Sequence, residues 1–400
     1  MRKFIERRQY LDKLISFKDK DLIKIITGIR RCGKSTLMEI YQKYLFEHGI
    51  QENQILKINF EDFAYRKLLN PETLHEYVIE RLHPEKTYVF LDEIQNVEEW
   101  PAVINSLNLR PNIDLYVTGS NAYMLSSELA TYISGRYIEI KMLPLSFKEF
   151  CSAYNTSNLQ QLYRTYLERS SFPGALPLEE ISDINTYLDG LYNTIVIKDI
   201  MVRKNITDTM MLESVLRFVY DNIGNELSSK KIADTLTSNG RKIDTRTIEK
   251  YLSALTESFI TYEAKRYNIR GRQLLKTNSK YYAVDITLRS MLLGSSAVDV
   301  GHILENVVYL ELLRRGYKVY VGKIDNLEVD FIATNDTDKI YYQVAATVRD
   351  ENTLKRELAS LDKIKDHNPK ILLTLDEDPE ANYKGIKKIN VLTWLMEDNW

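Results

Sequence analysis

Apolar and polar positions alternate in blocks along the first third of the chain. Five short apolar runs, LIKII (22–26), ILKINF (55–60), TYVFL (87–91), DLYVT (114–118) and YIEIKM (137–142), are separated by stretches with helical spacing. Short apolar runs between helical segments are the pattern of strands buried on both faces of a parallel sheet. Residues 22 to 143 are therefore expected to form an α/β, doubly wound parallel sheet.

Beyond residue 144 the pattern changes twice. Residues 144 to about 225 read as helices, interrupted by SFPGALP at 171–177. Two shorter helices with polar N-caps follow, SSKKIADTL and DTRTIEKYLSALTESF, then a basic segment and a strand, KYYAV. After Gly301 come a helix (ILENVVYLELLRRG), strands near KVYVG, EVDFIA and IYYQVAAT, a helix (TLKRELASLDKIKD) and a strand (KILLTL). The expected segments are 1–150, 151–225, 226–295 and 296–400, consistent with several domains in 400 residues.

Composition changes this picture little. Hydrophobic content of 44% and charged content of 28% are ordinary for a globular protein. A net charge of −2 excludes a wholly basic nucleic-acid coat but leaves room for a local patch. No apolar stretch approaches 18 residues and the N-terminus has no apolar signal region, so no membrane association is expected. The two cysteines, Cys32 and Cys151, suggest a reduced, cytoplasmic protein.

Candidate chemistry is densest after the first strand. Gly28 and Gly33, with four residues between them, are followed by Lys34, Ser35 and Thr36. Glycines at this spacing let backbone curl around phosphate oxygens, and the N-terminus of the next helix faces the same anion. Lys34 is expected to reach the β- and γ-phosphates of ATP, and Ser35 to bind Mg²⁺. Arg30, Arg31 and Cys32 lie within the loop; the arginines either touch phosphate or a neighbouring chain, or face solvent, and a helix N-terminus favours a Cys32 thiolate. The buried strand YVFLDE ends in Asp92, expected to hold Mg²⁺, and Glu93, expected to polarise the attacking water. A further strand ends YVTGSNA, where Asn121 or Ser120 sits near the γ-phosphate or caps the helix AYMLSSELATYI. Arg136 ends that helix, either as a functional cation or as a C-capping or solvated one.

ITGIRRCGKST, FLDEIQNV, VTGSNAYMLSSELATYISGRY and MLPLSFKEF together resemble a prokaryotic family of AAA+ type P-loop ATPases whose C-terminal domain is of unknown function. The resemblance implies that Lys34 and Ser35 bind nucleotide and Mg²⁺, Asp92 positions the metal, Glu93 activates water and Asn121 is a sensor. It places Arg136 as an arginine finger acting on a neighbouring subunit, and hence implies a homo-oligomer.

Two further sites are expected. The helices around Asn239-Gly240, with Arg246, Lys250, Thr245 and Thr247 near the start of the second, have the order of a winged helix-turn-helix. The basic segment Lys265, Arg266, Arg270, Arg272, Lys276 and Lys280 is expected to form its hairpin wing. IRGRQ is the best candidate for phosphate contact with DNA, while lid or protein-docking roles stay open. In the last segment, Glu305 on a helix and Glu328 and Asp330 on a strand resemble a PD-(D/E)xK nuclease core. There Gln343 replaces the second acid and Ala345 the lysine, which points to a fold that has lost cleavage and binds nucleic acid or a protein partner. Lys355 and Arg356 are weak substitutes for the missing cation.

Overall fold

The computed structural model describes residues 5–122, 135–275, 278–294 and 299–398. The chain divides into two compact units, Met1–Pro144 with Glu257–Phe259, and Leu145–Thr256 with Ile260–Trp400.

In the first unit, β1 (Ile23–Thr27), β2 (Ile55–Asn59), β3 (Thr87–Asp92), β4 (Ile113–Gly119) and β5 (Tyr137–Lys141) form a parallel sheet in the order β2-β3-β4-β1-β5. β1, β3 and β4 are buried along their whole length, which is why their sequences read as near-continuous apolar runs. Helices Lys34–Glu47, Pro71–Ile79 and Trp100–Asn108 connect the strands. Asn70 fixes the start of the second by accepting from Thr73 N at 2.9 Å, with Pro71 behind it. Ile25, Val89, Leu91, Leu115 and Val117 lie at the centre of the apolar core.

One polar cluster crosses this core. Lys24 on β1 pairs with Asp114 on β4, Tyr116 donates to the same carboxylate at 2.8 Å, and the Tyr41 and Tyr116 hydroxyls lie 2.9 Å apart. Every member has a partner, as burial of such groups requires.

The second unit begins with helices Phe147–Cys151, Leu159–Arg169 and Ile181–Thr194; the last runs on as a π-helix, Ile195–Val202. Helix Thr209–Asp221 follows, then β6 (Glu226–Leu227), helices Ser229–Ser238 and Thr245–Glu257, β7 (Thr261–Ala264), β8 (Arg266–Asn268), β9 (Gln273–Leu274) and β10 (Ser279–Ala283). The C-terminal part holds helix Val300–Arg314, β11 (Lys318–Ile324), β12 (Leu327–Thr334), β13 (Lys339–Ala345), helix Glu351–Asp362, β14 (Lys370–Thr374), β15 (Ala381–Tyr383), β16 (Ile386–Asn390) and helix Val391–Met396. Two sheets result: β6-β10-β7, and the mixed β15-β16-β14-β13-β12-β11-β8-β9.

The basic segment departs from its expected place. It does not stand out as a hairpin of the three-stranded sheet. β7 and β10 pair with each other, while β8, between them in sequence, pairs in parallel with β11 and carries β9 on its outer edge. Val321 N donates to Lys265 O at 3.0 Å and Ile269 N to Lys323 O at 2.9 Å, so the edge of β11 takes up backbone that would otherwise face solvent.

Candidate functional site

The parallel order of the first sheet brings three loops to one edge, those leaving β1, β3 and β4, because β3, β4 and β1 are adjacent and point the same way. The loop after β1 is pinned from below. Gly28 has φ of +154°, and a Cβ added there would lie 2.1 Å from the Met142 carbonyl oxygen, so no side chain fits. Gly33, at φ +106°, caps the helix Lys34–Glu47. Arg7 clamps the same loop, donating to Cys32 O at 3.0 Å and to Leu143 O at 2.7 Å.

Lys34 is 4% exposed. Its Nζ donates to Gly28 O at 2.9 Å and Ile29 O at 3.3 Å and stands 3.5 Å from Glu93 Oε1. Glu93 itself has a left-handed backbone, φ +55°, a conformation non-glycine residues take at a cost of order 1–3 kcal/mol. Thr118, from the neighbouring β4, holds both acids. Its hydroxyl accepts from Glu93 N at 2.9 Å and donates to Asp92 Oδ1 at 2.5 Å. Ser35 also hydrogen-bonds Asp92. Gln95 donates to Glu93 and, at 3.5 Å, to Ser120 Oγ.

The two adjacent acids titrate in opposite directions. Burial pushes Asp92 above the usual carboxylate range, and the hydrogen bonds from Thr118 and Ser35 offset this in part. Burial pushes Glu93 up as well, but the Lys34 charge and the Gln95 hydrogen bond outweigh it, so Glu93 lies below its ordinary value. Glu93 is thus ionised at neutral pH and able to accept a proton from water. A buried ammonium held by neutral carbonyls, a glycine that admits no side chain, and a serine beside a buried aspartate fit the phosphates of ATP and one Mg²⁺.

The remaining expectations fall as follows. Ser120 and Asn121 are both buried directly after β4. Arg136 is exposed before β5, 3.4 Å from Asn105 Oδ1. Arg30 pairs with Glu61 at 2.6 Å, and Arg31 is exposed with φ +65°. The favoured Cys32 thiolate is not found: the side chain is fully buried and burial pushes its pKa up, outweighing the nearby Lys34 and Arg7 charges. The segment AYMLSSELATYI falls at 122–133, and residues 123–134 lie outside the described ones. Thr118, Gln95 and Arg7 were not singled out by the sequence; Thr118 stands within the quoted YVTGSNA but carries no motif of its own.

Residues 20–151 match the model of an AAA domain, and residues 160–299 match a domain of unknown function (DUF8612). An uncharacterised protein of Haemophilus influenzae is 43% identical over 98% of this chain and 99% of its own length. A second, from Methanocaldococcus jannaschii, is 30% identical over 92% of this chain and 84% of its own. The chain belongs to the AAA+ family of P-loop ATPases. The Walker-type ATPase of Pyrococcus abyssi has a similar fold, with a TM-score of 0.51 at 15% identity over 72% of this chain and 96% of that one.

The second unit holds the other expected residues. Arg246 and Lys250 are exposed on the helix Thr245–Glu257, and Arg272 is exposed at φ +50°. The basic segment is not a free patch. Arg266 pairs with Glu226 at 2.7 Å, Arg270 pairs with Asp325 at 2.7 Å, and Lys280 is buried against Glu305 and Glu328. Lys276 lies outside the described residues. Glu305 and Asp330 are buried. Gln343 stays beside Asp330, accepting from its backbone N–H at 3.4 Å and from Ser360 at 3.2 Å, and donates to Glu357 Oε2 at 3.0 Å. Ala345 packs in the apolar cluster with Leu361 and Ile364. Lys355 and Arg356 pair locally with Glu351 and Glu357. Among the described residues no helix is long and apolar enough to cross a membrane.

Proposed function

We propose that this chain is a Mg²⁺-dependent ATPase that couples hydrolysis to conformational work on DNA, binding or remodelling it, as a homo-oligomer in the cytoplasm. The observation that carries the reading is the Lys34 ammonium, buried between the Gly28 and Ile29 carbonyls and 3.5 Å from Glu93. A phosphate oxygen is a stronger acceptor for it than a neutral carbonyl. In this reading the loop from Gly28 to Thr36, with Arg30, Arg31 and the Cys32 backbone, encloses the phosphates, and Lys34 neutralises them. Ser35 and Asp92 hold Mg²⁺, which would offset the charge that develops on the phosphate oxygens. Glu93, turned inward by Thr118, takes the proton of the attacking water. Asn121 senses the γ-phosphate, and Arg136, exposed just before β5, reaches a neighbouring subunit's nucleotide.

We read residues 1–150 as the ATPase domain, 151–225 as a helical lid, 226–295 as a winged helix and 296–400 as a degenerate nuclease-like domain. The run of two helices followed by a small antiparallel sheet supports the third, with Arg246 and Lys250 exposed where phosphates would lie. The order helix–β11–β12–β13–helix–β14 supports the fourth, with Gln343 and Ala345 offering neither acid nor cation. A second reading is a nucleotide-gated switch that binds a protein partner. The ion pairs that neutralise Arg266 and Arg270 favour it.

Measuring ATPase rate against protein concentration, with and without duplex or branched DNA, tests both. Hydrolysis that rises more than linearly with concentration, and that DNA stimulates with steep salt dependence, is expected. Hydrolysis with no DNA binding at low salt would move the conclusion to the protein-partner switch, and no hydrolysis under any of these conditions would overturn the ATPase reading.

A further inference from the structure

The acids of the C-terminal part already have a cation among them, and it comes from a different sheet. Lys280, on β10 of the three-stranded sheet, is 3% exposed. Its Nζ lies 3.0 Å from Glu305 Oε1, on the helix Val300–Arg314, and 2.6 Å from Glu328 Oε1, on β12 of the eight-stranded sheet. Tyr282, two residues on along β10 and so on the same face, donates to Glu305 Oε1 at 2.6 Å. Asp330, two residues after Glu328 on β12, completes the group; its Oδ2 accepts from Val344 N at 2.8 Å. Two carboxylates therefore flank one ammonium, with Asp330 buried on the same strand as one of them.

Cations of two kinds can satisfy such a cluster. A divalent ion needs several oxygens to converge on one point, and among the described residues no group of three or more acids, histidines or cysteines stands close enough to hold one. An ammonium needs acceptors at hydrogen-bond distance in separate directions, and Lys280 has them. Removing one partner from a buried ionic group leaves uncompensated charge, which is far costlier than never having buried the group.

We propose that Lys280 is the internal counter-ion of Glu305 and Glu328, at a cluster that does not fit a divalent metal, and that it latches the three-stranded sheet to the eight-stranded one. The C-terminal part is then independent of metal, and its acid cluster is unavailable to substrate. The inference does not depend on the ATPase reading, because none of these residues belongs to the nucleotide site.

Mn²⁺ binding by calorimetry tests it, using the full chain carrying Ser35→Ala and Asp92→Asn so that the nucleotide site's own ligands are silent. With Lys280 present, no Mn²⁺ uptake that depends on Asp330 is expected, and Mn²⁺ should leave the melting temperature unchanged. Lys280→Met should gain no such site and should lower the melting temperature, because it strands the Glu305 and Glu328 carboxylates. A folded Lys280→Met protein that melts where the unmodified one does overturns the proposal. Should Lys280→Met fail to fold, the protein with Lys280 decides alone: Mn²⁺ binding there that Asp330→Asn abolishes overturns the proposal, and its absence supports it.

Discussion

Lys34 and Lys280 are both almost excluded from solvent, at 4% and 3% exposure, and both face carboxylates. Their surroundings differ in what can replace them. Lys34 leans on two neutral carbonyls and on one acid at 3.5 Å, at the start of a helix and at the open edge of a parallel sheet. Lys280 has a carboxylate at 2.6 Å and another at 3.0 Å, inside a cluster drawn from a helix and two sheets. A modestly compensated buried charge binds an incoming anion with little to give up. A fully compensated one has nothing to gain from exchange and serves to fix geometry.

That contrast can be broken in five ways. Arg136→Ala carries the largest expected effect: ATP binds as before while turnover falls by roughly 10³–10⁵-fold, the measured worth of a trans-acting arginine elsewhere. Mixing this variant with Glu93→Gln should restore part of the activity, because some interfaces then hold both an intact acid and an intact arginine. No recovery at any ratio, with assembly confirmed, counts against the trans role. Glu93→Gln alone should keep nucleotide binding and lose about 10²–10⁴-fold in hydrolysis; a loss under about tenfold would remove Glu93 as the base.

The two lysines can be compared directly. Lys280→Met should lower stability by about 3–5 kcal/mol in urea denaturation, the usual consequence of stranding buried carboxylates. Lys34→Met should cost much less stability while abolishing the gain in melting temperature that ATP gives the unmodified protein. Equal losses from both would erase the distinction between them.

The pH profile sharpens the same point. Burial, reinforced by Glu305, raises Asp330 well above the usual carboxylate range. A raised acid binds more protons folded than unfolded, so its contribution is intact near pH 4 and is lost as pH climbs toward the folded value. Asp330→Asn should flatten that fall in stability between acid and neutral pH; an unchanged profile would mean that Asp330 does not titrate in this way. The smallest effect concerns DNA. Arg246→Ala with Lys250→Ala should reduce the slope of log K against log salt by nearly two, at about 0.9 per duplex phosphate contact, uniformly across sequences. An unchanged slope would place this helix away from DNA.

The legible part of the sequence was the part with fixed spacing. Gly28, Gly33, Lys34 and Ser35 act within one loop, and Asp92 and Glu93 end one apolar strand, so short-range pattern carries them. Thr118 and Gln95 were not legible, because a threonine or glutamine gains a role from a neighbour that only the sheet order brings close. Cys32 was misread since helix position argued for a thiolate while burial, which the sequence does not display, decided against it. The basic segment forms the expected hairpin, β8 with β9, but joins a different sheet, for a related reason. Hairpin formation between β7 and β10 is a local matter, but the pairing of β8 with β11 spans about fifty residues and leaves no periodic trace. Gln343 and Ala345 were correctly seen to lack charge, yet the cation near those acids lay 25 residues before Glu305, on an element read as part of another segment.

The three residues of β8 have a consequence for how this protein can be taken apart. The recognised middle region ends at residue 299, yet Arg266, Tyr267 and Asn268 pair with Val321, Gly322 and Lys323, and Lys280 meets Glu305. A gene fragment stopping at 299 would carry a bare strand and a stranded ammonium; one starting there would carry an open sheet margin and orphaned acids. Both halves would be sticky, and self-association through the uncovered β11 margin is the expected fate of the second. Shuffling of this region between proteins by recombination must therefore move residues 226 to 398 as one piece, although the recognised middle region ends partway along that stretch.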